Sequence, residues 1–138
     1  MWTDDQIRND MYNLIAEVLY IERQGITEQT RFFRDTDGES IDLLELSFKC
    51  GKHFGVDPQF QKMLPASELK VDAQNRLMPQ SIAMIRERAP FLNLTDFEKN
   101  PKMDHIQDLV TAGALYEYMR RVIRDRELTC SGDMATAT

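Results

Sequence analysis

An all-α, antiparallel helical bundle is the fold that this chain of 138 residues predicts. Apolar residues recur three and four positions apart over three long stretches, the signature of amphipathic helices. Glycine and proline stand where those stretches end, as helix stops require. With 42% apolar and 29% charged residues, the composition is that of a globular domain able to bury one modest core.

In the first stretch Ile7, Met11, Leu14, Ile15, Val18 and Leu19 fall at helical spacing. Thr3 or Asp4 is the candidate N-cap and Gly25 the stop, which predicts a helix over about 4–22. A polar connector follows, in which Ile26, Phe32 and Phe33 are the residues expected to tether it to the core. The second helix is predicted from Ser40 to Phe54. Ile41, Leu44, Phe48 and Phe54 form its apolar stripe, widened by Leu43, Leu46 and Cys50, with Gly55 and Pro58 ending it. Gly51 inside this helix costs about 1 kcal/mol relative to alanine, so a close neighbour is expected there. Pro79 starts a short helix over Gln80 to Arg88, with Ile82 and Ile85 inward and Pro90 beyond its end. Leu64, Leu69, Leu77, Phe91, Leu92, Leu94 and Phe97 are too many apolar residues for a solvated linker, so this segment is expected to fold onto the core. Asp104 is the candidate cap of the last helix, whose apolar face is Ile106, Leu109, Val110, Leu115, Tyr118, Met119, Val122 and Ile123. Beyond Glu127 the pattern is lost, and 127–138 is expected to be a flexible tail. Residues 1–126 are expected to form a single domain.

The net charge of −6 is uneven. Residues 1–45 hold 11 acids and 4 bases, net −7, and the other 93 residues hold 12 acids and 13 bases, net +1. An acidic front half disfavours nucleic acid and suits basic partner surfaces. The two cysteines, Cys50 and Cys130, are too few for a disulfide framework and are read as free thiols. Cys50, His53 and His105 do not make a tetrahedral ligand set, so no metal is expected. With no apolar run near the length of a membrane span and no signal-peptide pattern, the expectation is a cytoplasmic, monomeric protein.

Chemistry concentrates at Asp37-Gly38-Glu39-Ser40-Ile41-Asp42-Leu43-Leu44-Glu45-Leu46. An acidic, glycine-containing loop runs into a serine that opens an amphipathic helix, where backbone N–H groups and the helix dipole favour an attached anion. By position alone Ser40 is either an ordinary N-cap or the bearer of a phosphate-linked group.

This stretch resembles the phosphopantetheine attachment motif of acyl carrier proteins, an Asp-Ser-Leu core followed by an acidic, apolar helix. Gly25-Ile26-Thr27 through Phe32-Phe33 is similar to that family's connector, His53-Phe54-Gly55-Val56 to the end of its second helix, and His105-Ile106-Gln107-Asp108-Leu109-Val110 to the start of its last. The resemblance spans about residues 4–60 and 103–124. It implies a four-helix bundle of acyl-carrier type with an extra helical insertion at about 62–102. It also implies 4′-phosphopantetheine on Ser40, delivered from coenzyme A by a phosphopantetheinyl transferase, and no catalytic group of the protein's own. Acyl-transferring and condensing enzymes would dock on Glu39, Asp42, Glu45, Lys49 and Lys52. Glu39 replaces the family's usual aspartate, and Lys49, Gly51, Lys52 and His53 replace its more acidic helix end. With the long segment after Gly55, these departures imply a specialised carrier of a fatty-acid, lipid or polyketide-type pathway. The insertion would then pack near the ends of the second and last helices as a lid on an acyl pocket. The interior methionines (Met11, Met63, Met78, Met84, Met103 and Met119) are read as core fillers. Two other readings stand beside this one: a helical adaptor acting through protein contacts alone, and an aminoacyl or peptidyl carrier of nonribosomal synthesis.

Overall fold

The computed structural model describes residues 1–64 and 66–137, with the backbone alone at residues 61, 66 and 130–137. Helix α1 runs Asp4–Leu19. Thr3 is the cap: its hydroxyl accepts the Gln6 N–H at 3.1 Å, while the Gln6 side chain accepts the Thr3 N–H at 2.9 Å. The helix ends before Gly25 is reached. Tyr20 turns left-handed at φ 56° and its N–H bonds Ala16 O, a conformation that costs a non-glycine residue about 1–2 kcal/mol. Gly25 ends only a single 3-10 turn, Arg23–Gly25.

Helix α2, Ser40–Phe54, lies antiparallel to α1. His53 Nε2 meets Asp10 Oδ2 at 2.8 Å, and one turn earlier on α2 Lys49 Nζ meets Glu17 Oε1, further along α1, at 2.9 Å. Between them Cys50 Sγ sits 3.5 Å from Met11 Sδ. The Trp2 ring lies beyond this contact, 4.8 Å from that of Phe54. Directly after Phe54, Gly55 adopts φ 70°, and the Gly55 and Val56 N–H groups both bond Gly51 O, at 2.9 and 3.2 Å. A Cβ on Gly51 would lie 2.9 Å from Val56 O, which is the close neighbour expected there.

The face α2 buries differs from the predicted stripe. Leu43, Leu46, Ser47, Cys50 and Phe54 point inward, whereas Ile41, Leu44 and Phe48 are 69%, 44% and 70% exposed. Two apolar stripes overlap on this helix, and small side chains at 47 and 50 are what close approach of α1 requires.

From Phe54 to Ala112 the chain makes short 3-10 turns, Phe60–Met63 and Ala66–Glu68, and helices α3 (Pro79–Arg88) and α4 (Thr95–Lys99). Among the described residues β-pairing is limited to isolated antiparallel bridges, Arg31–Thr111, Val71–Leu77 and Arg76–Lys102. Phe60, Met63, Leu77, Ile85, Ala89, Leu92, Leu94 and Phe97 are buried in the same core as the long helices. Of the two α3 residues expected inward, Ile85 is fully buried and Ile82 half-buried. Tyr118 ties the segment to the last helix: its hydroxyl accepts the Gln59 N–H at 2.9 Å and lies 3.1 Å from Gln59 O.

The last helix, α5, begins at Ala112 and not at Asp104, and its backbone continues to Ala137, past Glu127. Ile106 and Leu109 lie on a 3-10 helix, Met103–Leu109, because their spacing of three satisfies either helix type. Thr111 caps α5 by accepting the Ala114 N–H at 3.1 Å, while Asp104 instead accepts from the Asn75 amide at 3.2 Å. Thr138 and the side chain of Cys130 lie outside what is described. Helix α5 is antiparallel to α1, with Arg124 bonding Asp4 Oδ1 at 2.6 Å and Trp2 O at 2.7 Å. Among the described residues no helix is long and apolar enough to cross a membrane.

Candidate functional site: a serine at the start of helix α2

The loop that delivers Ser40 winds around one backbone carbonyl. Phe32, buried in the core, accepts the Gly38 N–H at 3.1 Å through its carbonyl oxygen, and that oxygen also accepts the Thr36 hydroxyl. A Cβ on Gly38 would lie 2.5 Å from this oxygen and 2.7 Å from the Phe32 ring, so only glycine fits. Asp37 supplies the reversal in a left-handed conformation, φ 56°, which aspartate tolerates better than most residues. Inside the loop the Arg31 N–H reaches Asp35 Oδ2 at 2.8 Å and its Nη2 reaches Asp35 Oδ1 at 3.0 Å. These bonds from the Arg31 side chain and backbone hold the Asp35 carboxyl below its ordinary range.

The loop hands over to α2 through Asp42, whose Oδ2 accepts the Glu39 N–H at 2.8 Å. The first backbone bond of the helix runs from the Leu43 N–H to Glu39 O at 3.1 Å. Ser40 is thus the first helical residue, and the flanking cap position is Glu39. Ser40 is exposed, and no hydrogen bond to its hydroxyl is found among the described residues, so it does no capping. A phosphodiester on that oxygen fits: it would sit beside first-turn N–H groups that lack a helical acceptor, at the positive end of the dipole. Asp42 and Glu39 oppose an anion there but attract a basic partner.

Of the residues expected to dock partners, Glu39, Glu45 and Lys52 are exposed and Asp42 is half-buried. Lys49 is half-buried, and its Nζ pairs with Glu17 Oε1 at 2.9 Å, a bond that raises its pKa. Ile41, Leu44, Glu45, Phe48 and Lys52 share one solvent-facing side of α2 by helical spacing. Sequence reasoning missed the apolar part of this surface by turning it inward. The signal that could have placed it was the smallness of Ser47 and Cys50 on the opposite side.

Cys50 lies fully inside, and burial pushes its thiol up to about 12. In a Cys130→Ser background a thiol reagent such as DTNB should therefore label nothing at neutral pH until the protein is unfolded. Rapid labelling of the native protein would contradict the packing. A cavity of about 630 Å³ opens between α1, the connector, the segment before α5 and the first turns of α5, with Tyr12, Arg31, Phe91, Asn100, His105 and Tyr116 on its walls. Ser40 and α2 do not line it.

An exposed serine without a hydrogen bond among the described residues, at the head of a helix in a small α-bundle, has the placement that a prosthetic-group carrier requires. Residues 9–72 match the family described as the phosphopantetheine attachment site. The chain is 34% identical over 55 residues to an acyl carrier protein of Lactobacillus acidophilus, covering 40% of this chain and 69% of that protein. It is 32% identical over 57 residues to an acyl carrier protein of Rickettsia canadensis, covering 41% and 66%. This chain belongs to the acyl carrier protein family, whose prosthetic group is a covalently attached 4′-phosphopantetheine. The family match ends before α3 and does not include His105–Val110.

Proposed function

We propose that Ser40 is the attachment residue, and that the chain carries acyl thioesters for a specialised lipid or polyketide-type pathway. What carries this reading is the exposed Ser40 hydroxyl, without a bond among the described residues, in a loop that Gly38 fixes against Phe32. The arm would supply the thiol that bears the acyl group. Ser40 holds the phosphodiester, the first-turn N–H groups of α2 face it, and the packed loop limits the conformations a transferase must recognise. The specialised pathway is inferred from Lys49, Lys52 and His53 on α2 and from the long segment between α2 and α5.

The test is intact mass after incubation with coenzyme A, Mg²⁺ and a promiscuous phosphopantetheinyl transferase. A gain of one phosphopantetheinyl group on the wild type supports the assignment; no gain sinks it, as does a gain that survives Ser40→Ala. The adaptor reading predicts instead that Ser40→Ala leaves every partner interaction intact.

Docking is assigned to the exposed side of α2, where Ile41, Leu44 and Phe48 form an apolar centre near the carboxylates of Glu39, Asp42 and Glu45. Such a surface suits an apolar pocket with a basic rim on the transferase and on acyl-transferring or condensing enzymes. Phe48→Glu should weaken transferase binding about tenfold or more, as loss of a central aromatic contact does, without lowering the melting temperature. Unchanged affinity in a titration would remove Phe48 from the interface.

A further inference from the structure

The loop that ends in Ser40 is joined along one side to the chain just ahead of α5. Phe32 N–H donates to Val110 O at 2.9 Å, Ala112 N–H to Thr30 O at 2.8 Å, and Gly113 N–H to Glu28 O at 3.0 Å. A Cβ on Gly113 would lie 2.8 Å from Glu28 O, so the two backbones touch without room for a side chain. These bonds hold residues 28–32 and leave the outer turn, 33–37, to other restraints. Within the loop the restraints are the Arg31–Asp35 pair and the bonds from the Gly38 N–H and the Thr36 hydroxyl to Phe32 O. Against the rest of the molecule, Phe33 packs on the core, and the charged contact is made by Arg34, whose Nη2 lies 3.1 Å from Asp108 Oδ2. Asp108 belongs to the 3-10 helix that closes the long segment after α2. That segment therefore reaches the base of the Ser40 loop through the Val110 backbone and its outer turn through the Arg34–Asp108 ion pair.

We propose that Arg34 and Asp108 are positioning residues for the modification of Ser40. The pair holds the outer turn in the free protein, so that a transferase meets Ser40 in one presentation and does not have to order the turn on binding. The inference rests on the Ser40 reading. Arg34 and Asp108 keep 50% and 25% of their side-chain surface in water, and exposed pairs of this kind contribute little to global stability. The effect belongs in recognition, not in the melting temperature.

The experiment measures transferase kinetics on full-length wild type, Arg34→Ala, Asp108→Asn and the charge-swapped double variant Arg34→Asp/Asp108→Arg. Amide exchange of residues 35–40 is followed in the same proteins. Each single variant should raise the KM for the carrier about threefold to fivefold with kcat kept, the most that an exposed pair supplies. The loop amides should exchange faster, the melting temperature should hold, and the swap should restore KM and exchange. Wild-type values in both single variants overturn the proposal. A loss confined to Arg34→Ala overturns it too, because Arg34 would then touch the transferase directly. A wild type that takes up no arm at Ser40 fails the underlying reading and this proposal together. Normal loading of the wild type with unchanged variants fails this proposal alone.

Discussion

Replacing Ser40 by alanine should abolish loading completely and leave the protein at least as stable as before. Both halves follow from the same geometry. The hydroxyl is exposed and bonds nothing among the described residues, so its removal costs the fold no internal contact. Alanine is the better helix former by up to about 0.7 kcal/mol. The capping work at this end belongs to Asp42, which accepts the Glu39 N–H at 2.8 Å. Asp42→Ala should therefore cost about 1 kcal/mol while sparing the acceptor oxygen on Ser40. Intact mass and thermal melting, measured on the two variants side by side, separate the roles. A Ser40→Ala protein that melts well below the wild type would restore the capping role to the serine.

Truncating the core side chains of the segment between α2 and α5 should be as damaging as truncating those of the long helices. Ile85 and Phe97 are buried in the same cluster as Leu46, Leu115 and Met119. Ile85→Ala should lower the unfolding free energy by about 2–5 kcal/mol and Phe97→Ala by about 3–5 kcal/mol. For a domain whose total stability is about 5–15 kcal/mol, either loss is large. Urea titration reads both as a lower midpoint with an unchanged slope. Wild-type midpoints would show that the segment is an appendage. The same packing makes removal of residues 66–100 a test of folding before it can be a test of any lid over an acyl chain.

Where local chemistry decides, the sequence was readable. Thr3 capped α1, Pro79 opened α3, and the bounds of α2 fell at Ser40 and Phe54 as expected. The tightness at Gly51 was legible because a mid-helix glycine needs a reason. What escaped were choices made by packing. The inward side of α2 depended on how closely α1 approaches Cys50, and the start of α5 on a threonine cap seven residues after the equally plausible Asp104. Tyr20 ends α1 left-handed with no glycine to announce it. At the site, Ser40 and its acidic neighbours were visible as a motif. The Arg34–Asp108 pair was not, since residues 74 positions apart are joined only by the fold.

The contact between Trp2 and Phe54 has a consequence for how the molecule can be held. Phe54 closes a helix of 15 residues that Ser40 opens, which puts the two about 21 Å apart along its axis. Trp2 packs at the Phe54 end, 4.8 Å between ring centroids. The point where the chain enters the bundle and the point where cargo would hang are thus opposite poles. A linker, a surface or a neighbouring domain joined ahead of Trp2 would grip the pole away from Ser40, and the loaded pole would stay free to swing from one enzyme to the next.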